Sequence, residues 1–95
     1  MINKKMRDTR VGFRFPKNTS LSVVKKALKD SKGYCDEIIK HKENYILLCY
    51  DYIDKGFYYS CKKLLLGYKK TPVVINLEYY LKGITKVSID KEDQK

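Results

Sequence analysis

The sequence predicts an α+β fold: a ferredoxin-like β-α-β-β-α-β sandwich with an added C-terminal hairpin strand, or a related small open-sheet domain. Three observations carry the prediction. Apolar residues alternate at 11–15 and at 73–81, and two stretches, 21–32 and 54–70, space them at helical intervals. Between the helical stretches lies YILLCYDY (45–52), apolar on both faces, as a central strand is when covered on both sides.

In chain order, Val11, Phe13 and Phe15 alternate with Gly12 and Arg14 in a short strand that Pro16 ends. The following PKNTS supplies Asn18, Thr19, Ser20 and then Ser22 as candidate caps for a helix. In that helix Leu21, Val24, Ala27 and Leu28 make one face, Lys25, Lys26 and Lys29 the other, and Gly33 the stop. Residues 34–44 read equally as a strand or as a helical extension with Cys35, Ile38 and Ile39 inward. The strand 45–52 follows.

KGFYYSCKK (55–63) coincides at its start with the aromatic pattern that RNA-recognition sheets use for base stacking, but SCK then departs from it. Its spacing asks for a helix. With Asp54 as cap, Phe57, Cys61, Leu64, Leu65 and Tyr68 fall in one stripe, and Lys62, Lys63, Lys69 and Lys70 fall outside it. Gly67 marks the end. After Pro72, Val73, Ile75, Leu77, Tyr79 and Leu81 alternate with Val74, Asn76, Glu78 and Tyr80 as a strand. Lys82-Gly83 then turns into ITKVSID. The 95 residues are read as one domain, with a polar arm at 1–9, a folded core at 10–89 and a charged tail at 90–95.

Composition narrows the function classes. Twenty-one basic residues face eleven acidic ones, a formal charge of +10, and residues 1–70 carry all of it. Lys82, Lys86, Lys91 and Lys95 are balanced by Glu78, Asp90, Glu92 and Asp93. Such a balance suits a polyanion or an acidic protein surface. Only Arg7, Arg10 and Arg14 are arginines, which favours phosphate contacts over reading of base edges. The reading is therefore a small basic, non-catalytic protein that binds DNA or RNA through phosphates, with stacking by some of its nine tyrosines.

Two surfaces compete for that role. One is an open sheet face presenting Arg14, Tyr45, Asn76 and Tyr80; the other is the helical surface of Lys25, Lys26, Lys29 and Lys32 with Tyr59, Lys62 and Lys63. The alternative function is a protein-interaction or inhibitor module for an acidic partner, with a homodimer formed by burying the spare apolar face. A metal-dependent nuclease ranks third. Asp51 and Asp54, near Asp36, Glu37 and Glu43, are its candidate ligands, and no hydrolase, phosphate-loop or zinc-protease motif accompanies them.

Cys35, Cys49 and Cys61 stand 14 and 12 residues apart. That spacing matches neither a disulfide framework nor a zinc knuckle. They read as small buried hydrophobes; a zinc site shared with His41, or a Cys49–His41 nucleophile pair, is the weaker reading. No cofactor or metal is expected. No run is long enough to cross a membrane and no secretory segment follows the N-terminus, so a cytoplasmic protein is expected.

Overall fold

The computed structural model describes residues 9–49, 55–76 and 83–89. The elements are β1 (Thr9–Arg14), α1 (Leu21–Asp30), β2 (Cys35–His41), β3 (Asn44–Cys49), α2 (Lys55–Leu64), β4 (Thr71–Asn76) and β5 (Thr85–Val87). The five strands form one sheet in the order β4-β1-β3-β2-β5, and every neighbouring pair is antiparallel. Because β1 and β2 both oppose β3, which lies between them, they run parallel and α1 makes the crossover. By the same logic β3 and β4 run parallel on either side of β1, joined through α2. Among the described residues the chain shows a small α+β fold with an open antiparallel sheet and two helices.

The ambiguous segment 34–44 resolves as strand β2 and a hairpin turn at Lys42-Glu43, with His41 opposite Asn44. Its alternation was hard to read because the β2–β3 register slips between Cys35 and Glu37. A bulge of this kind turns a strand's side chains over. Ile38 faces the helices opposite Leu47, so regular alternation would point Cys35 to the other side. The bulge returns it to the helix side opposite Cys49.

KGFYYSCKK is helical, as its spacing requires, within α2. Cys61 and Leu65 are fully buried, while Leu64 sits at the rim of the stripe. In α1, Val24 and Ala27 are fully buried and Leu21 and Leu28 pack at their margin. Ser20 is the N-cap, though its hydroxyl engages Ser22 Oγ at 3.0 Å and leaves the capping to backbone. The chain leaves α1 through Gly33 at φ +89°, a conformation glycine adopts without a Cβ penalty.

The C-terminal strand is where the expected architecture fails. β5 does not form a hairpin with β4; it pairs with β2 at the opposite edge, Val87 beside Ile38 and Lys86 beside Ile39. There Val87 and Ile89 pack on the helix-side core. Pro72, which lacks a backbone donor, lies in the edge strand β4. A two-residue alternation identifies a strand but not the edge it joins. The expected extension of β4 through 77–81, the end of the 45–52 run, Asp54, residues 1–8 of the arm and the tail lie outside the described residues, while Thr9, assigned to the arm, opens β1.

Both sheet faces carry a buried cluster at their centre. On the helix side Phe13, Phe15, Ile38, Leu47, Cys35 and Cys49 pack under α1 and α2, and Cys61 reaches them from α2. On the other side Ile39, Ile46 and Leu48 are closed to solvent, with Ile75, Val73 and Ile84 around them. The expectation of an open platform there is therefore corrected at the middle of the face. Gly12 in β1 makes this second layer fit: a Cβ at that position would stand 2.9 Å from Leu47 O and 3.0 Å from Leu48 Cδ2.

Candidate thiol centre and basic helix surface

The side chains that converge most closely are the three cysteines. Cys35 comes from β2, Cys49 from β3 and Cys61 from α2, and their sulfurs all lie within 4.8 Å of one another. Cys35 Sγ and Cys61 Sγ are 3.3 Å apart. All three are free thiols and all are buried. The sequence reading that they are buried holds; their meeting at one point was not legible from spacings of 14 and 12.

Each sulfur is positioned by identifiable contacts. The β2 bulge directs Cys35 inward, and the buried Ser31 hydroxyl accepts a hydrogen bond from Cys35 N at 3.2 Å while donating to Leu28 O at 2.6 Å. This ties the end of α1 to the start of β2. Cys49 is anchored from its backbone: Arg10 reaches across from β1, and its Nε donates to Cys49 O at 3.1 Å. Cys61 is placed by the rings that seat α2. Tyr58 stacks on Phe13 at 5.3 Å, and Phe57 meets Tyr34 edge-on at 5.0 Å.

The three thiols do not share one affinity for protons. Hydrogen bonds from Cys35 and Cys49, with the nearby Lys70 charge, pull Cys61 down to about 4 against the opposing effect of burial. Cys35 moves the other way, raised by its hydrogen bonds to Cys49 and Cys61 and by burial. At Cys49 the bond with Cys35 lowers the value, but the bond with Cys61 and burial outweigh it and push it up to about 12. Lys70 stands 5.6 Å from the Phe13 ring centre and donates to Leu65 O at 2.5 Å; its own pKa is lowered by desolvation.

His41 lies at the far end of β2 from Cys35, so neither a Cys3His zinc site nor a Cys49–His41 pair forms. Among the described residues the cysteines are the only cluster of metal-binding side chains. The carboxylates proposed for a nuclease are engaged elsewhere. Glu37 takes Arg10 Nη1 at 2.9 Å, Asp36 pairs with Arg10 Nη2, and Glu43 faces Lys17 at 3.4 Å. Asp51 and Asp54 lie outside the described residues. Arg10 was not singled out from sequence, yet it is the one buried charged side chain among the described residues.

The two surfaces considered for nucleic acid fare differently. Arg14 is exposed but sits on the face away from the helices, opposite Ile46. Tyr45 is half-buried against the helix-side core, with Lys40 Nζ 5.4 Å from its ring centre. Arg14 and Tyr45 therefore lie on opposite faces and form no shared platform. Asn76 ends β4 with its side chain undescribed, and Tyr80 lies outside the described residues.

The helical set comes together. α1 and α2 cover the same sheet face, and Lys26, Lys29, Lys32, Lys62 and Lys63 are exposed, with Lys25 half-exposed. Tyr59 projects from α2 with 61% of its surface exposed. Residues 21–34 and 55–70 hold nine lysines against one carboxylate, Asp30. Asp30 accepts a hydrogen bond from Tyr68 Oη at 2.5 Å, which with burial pushes the Tyr68 phenol up to about 12. No helix among the described residues is long and apolar enough to cross a membrane. No family model, curated protein or solved structure matches the chain.

Proposed function

We propose that this chain is a small, non-catalytic nucleic-acid-binding protein of the cytoplasm that grips the phosphate backbone with the outer surface of its two helices. The observation that carries the reading is the charge of that layer: nine lysines against Asp30 alone in residues 21–34 and 55–70, the two helices that share one side of the sheet and the turns that follow them. Lysines on mobile stems neutralise phosphates without reading sequence. Tyr59, the exposed ring on α2, supplies a stacking surface for an unpaired base. For the fold we read the β-α-β-β-α-β portion as ferredoxin-like with β5 appended beside β2, a reading supported by the two split crossovers.

Fluorescence anisotropy with a short single strand and a duplex, from about 50 mM to about 200 mM salt, tests the proposal. With about five phosphates neutralised, affinity is expected to fall by roughly two to three orders of magnitude over that range. Replacing Lys26, Lys29, Lys62 and Lys63 by Gln should flatten the salt slope by about 0.7–0.9 per lost contact. Arg14→Gln should leave it unchanged. Absence of binding at low salt, or a slope indifferent to the four lysines, would overturn the reading and favour an acidic protein partner.

A further inference from the structure

We propose that Cys35, Cys49 and Cys61 form a three-coordinate thiolate site for a soft monovalent metal ion, with Cu(I) as the ion that fits best. The chain has only three cysteines, on two strands and a helix, and all of them meet. Filling a core with small apolar groups does not require that. Nor does it require the bulge in β2, which is what brings Cys35 onto the side of Cys49 and Cys61.

The dimensions suit a metal. Three sulfurs at about 2.3 Å from a central ion stand about 4.0 Å apart in a planar triangle and about 3.8 Å apart in a tetrahedron. The sulfurs here span from 3.3 Å for Cys35–Cys61 to no more than 4.8 Å for any pair, so shifts below about 1 Å complete either arrangement.

The donor set then selects the ion. Thiolates are soft ligands that favour Cu(I) and Zn(II), but structural zinc takes four ligands. Among the described residues no fourth metal-binding side chain joins the three cysteines, and the sulfurs are closed to solvent. A d10 monovalent ion content with three sulfurs matches such a site. Binding exchanges protons for metal: Cu⁺ bonds to each sulfur as a thiolate, and every proton a cysteine still carries passes to solvent. Lys70 beside Cys61, and Arg10 beside Cys49, face the anionic centre that results.

The test is an anaerobic titration of the reduced full chain with Cu(I), delivered as its acetonitrile complex, in competition with a chromogenic Cu(I) chelator. One ion per chain is expected, with ultraviolet thiolate-to-copper absorption and release of thiol protons in weak buffer. X-ray absorption should count three sulfurs at about 2.3 Å. Cys35→Ala, Cys49→Ala and Cys61→Ala, each first checked for folding by circular dichroism, should all weaken binding by roughly a hundredfold or more. The sulfur count and proton release are read on the unaltered chain, so they decide the matter even where a variant fails to fold. The proposal is overturned by absence of stoichiometric binding or by a folded cysteine variant that binds as well as the parent chain. A Co(II) spectrum of tetrahedral type, with Zn(II) displacing Cu(I), overturns it too. None of these outcomes depends on the helix lysines.

Discussion

The two faces of the sheet are buried by different means. On the helix side the core is built of rings and sulfur: Phe13 stacks on Tyr58, Phe15 meets Tyr68 edge-on at 6.3 Å, and three thiols meet beneath α2. On the other side the core is aliphatic, with Ile39, Ile46, Leu48 and Ile75, and one end carries the buried Arg10 in place of a hydrophobe. The central strand β3 supplies both, Leu47 and Cys49 to one face and Ile46 and Leu48 to the other. The helix-side face gathers six elements, β5 among them through Val87, around groups with directional chemistry. Among the described residues the opposite face takes its closest directional contacts from Arg10, which links β1 to the β3 backbone and to the bulged end of β2.

The largest expected effect tests the helix side. Phe13→Ala should cost about 4 kcal/mol in urea unfolding, since it removes a fully buried ring together with its stack on Tyr58 and its contact with Lys70. Leu48→Ala, the corresponding truncation on the other face, should cost about 3 kcal/mol. A larger loss at Leu48 than at Phe13 would reverse the ranking of the two cores.

Arg10→Met tests the other face and should cost about 3 kcal/mol. The change removes the hydrogen bond to Cys49 O and the close cation of Glu37, whose side chain is 15% exposed, leaving Lys86 at 4.0 Å. Asp36 is 43% exposed and is hydrated when released, so it adds little. Combining Arg10→Met with Glu37→Gln should recover about 1 kcal/mol or more of the loss. Strict additivity of the two would show that the pair does not organise this face.

These contrasts follow what the sequence made legible. α1, α2 and β3 were readable because burial on a helix or strand imposes a period on neighbouring residues. Cys61 accordingly falls in the apolar stripe of its helix and Cys49 on an apolar strand face, whereas the side of the sheet that Cys35 takes depends on the bulge that breaks the period of β2. The partner of β5 and the reach of Arg10 were not readable, since each joins residues distant in sequence through tertiary packing. Arg10 and its carboxylates are 26 and 27 residues apart. The helix lysines were individually visible, but their union on one surface depends on both helices taking the same side of the sheet.

The smallest effect concerns protons at the place where the two faces come closest in chemistry, Cys49, whose thiol joins the cysteine cluster while its carbonyl holds Arg10. Cys61 has an ordinary value of 9.0 and a folded one lowered to about 4, so between these limits the folded chain holds a thiolate and the unfolded chain a thiol. Unfolding then takes up a proton. The stability contributed by Cys61 is full above about pH 9 and is lost as pH falls through about 4. Cys35 and Cys49 act oppositely: their raised values contribute below about pH 9, and the contribution of Cys49 is lost as pH rises through about 12. Urea unfolding from about pH 6 to about pH 8 should therefore show the parent chain gaining stability with pH relative to Cys61→Ala, by at most about 1.4 kcal/mol per pH unit. Parallel profiles would mean that the cluster keeps all three protons across this range. The two faces would then differ in shape and polarity alone, with a fixed charge at Arg10 and none among the sulfurs.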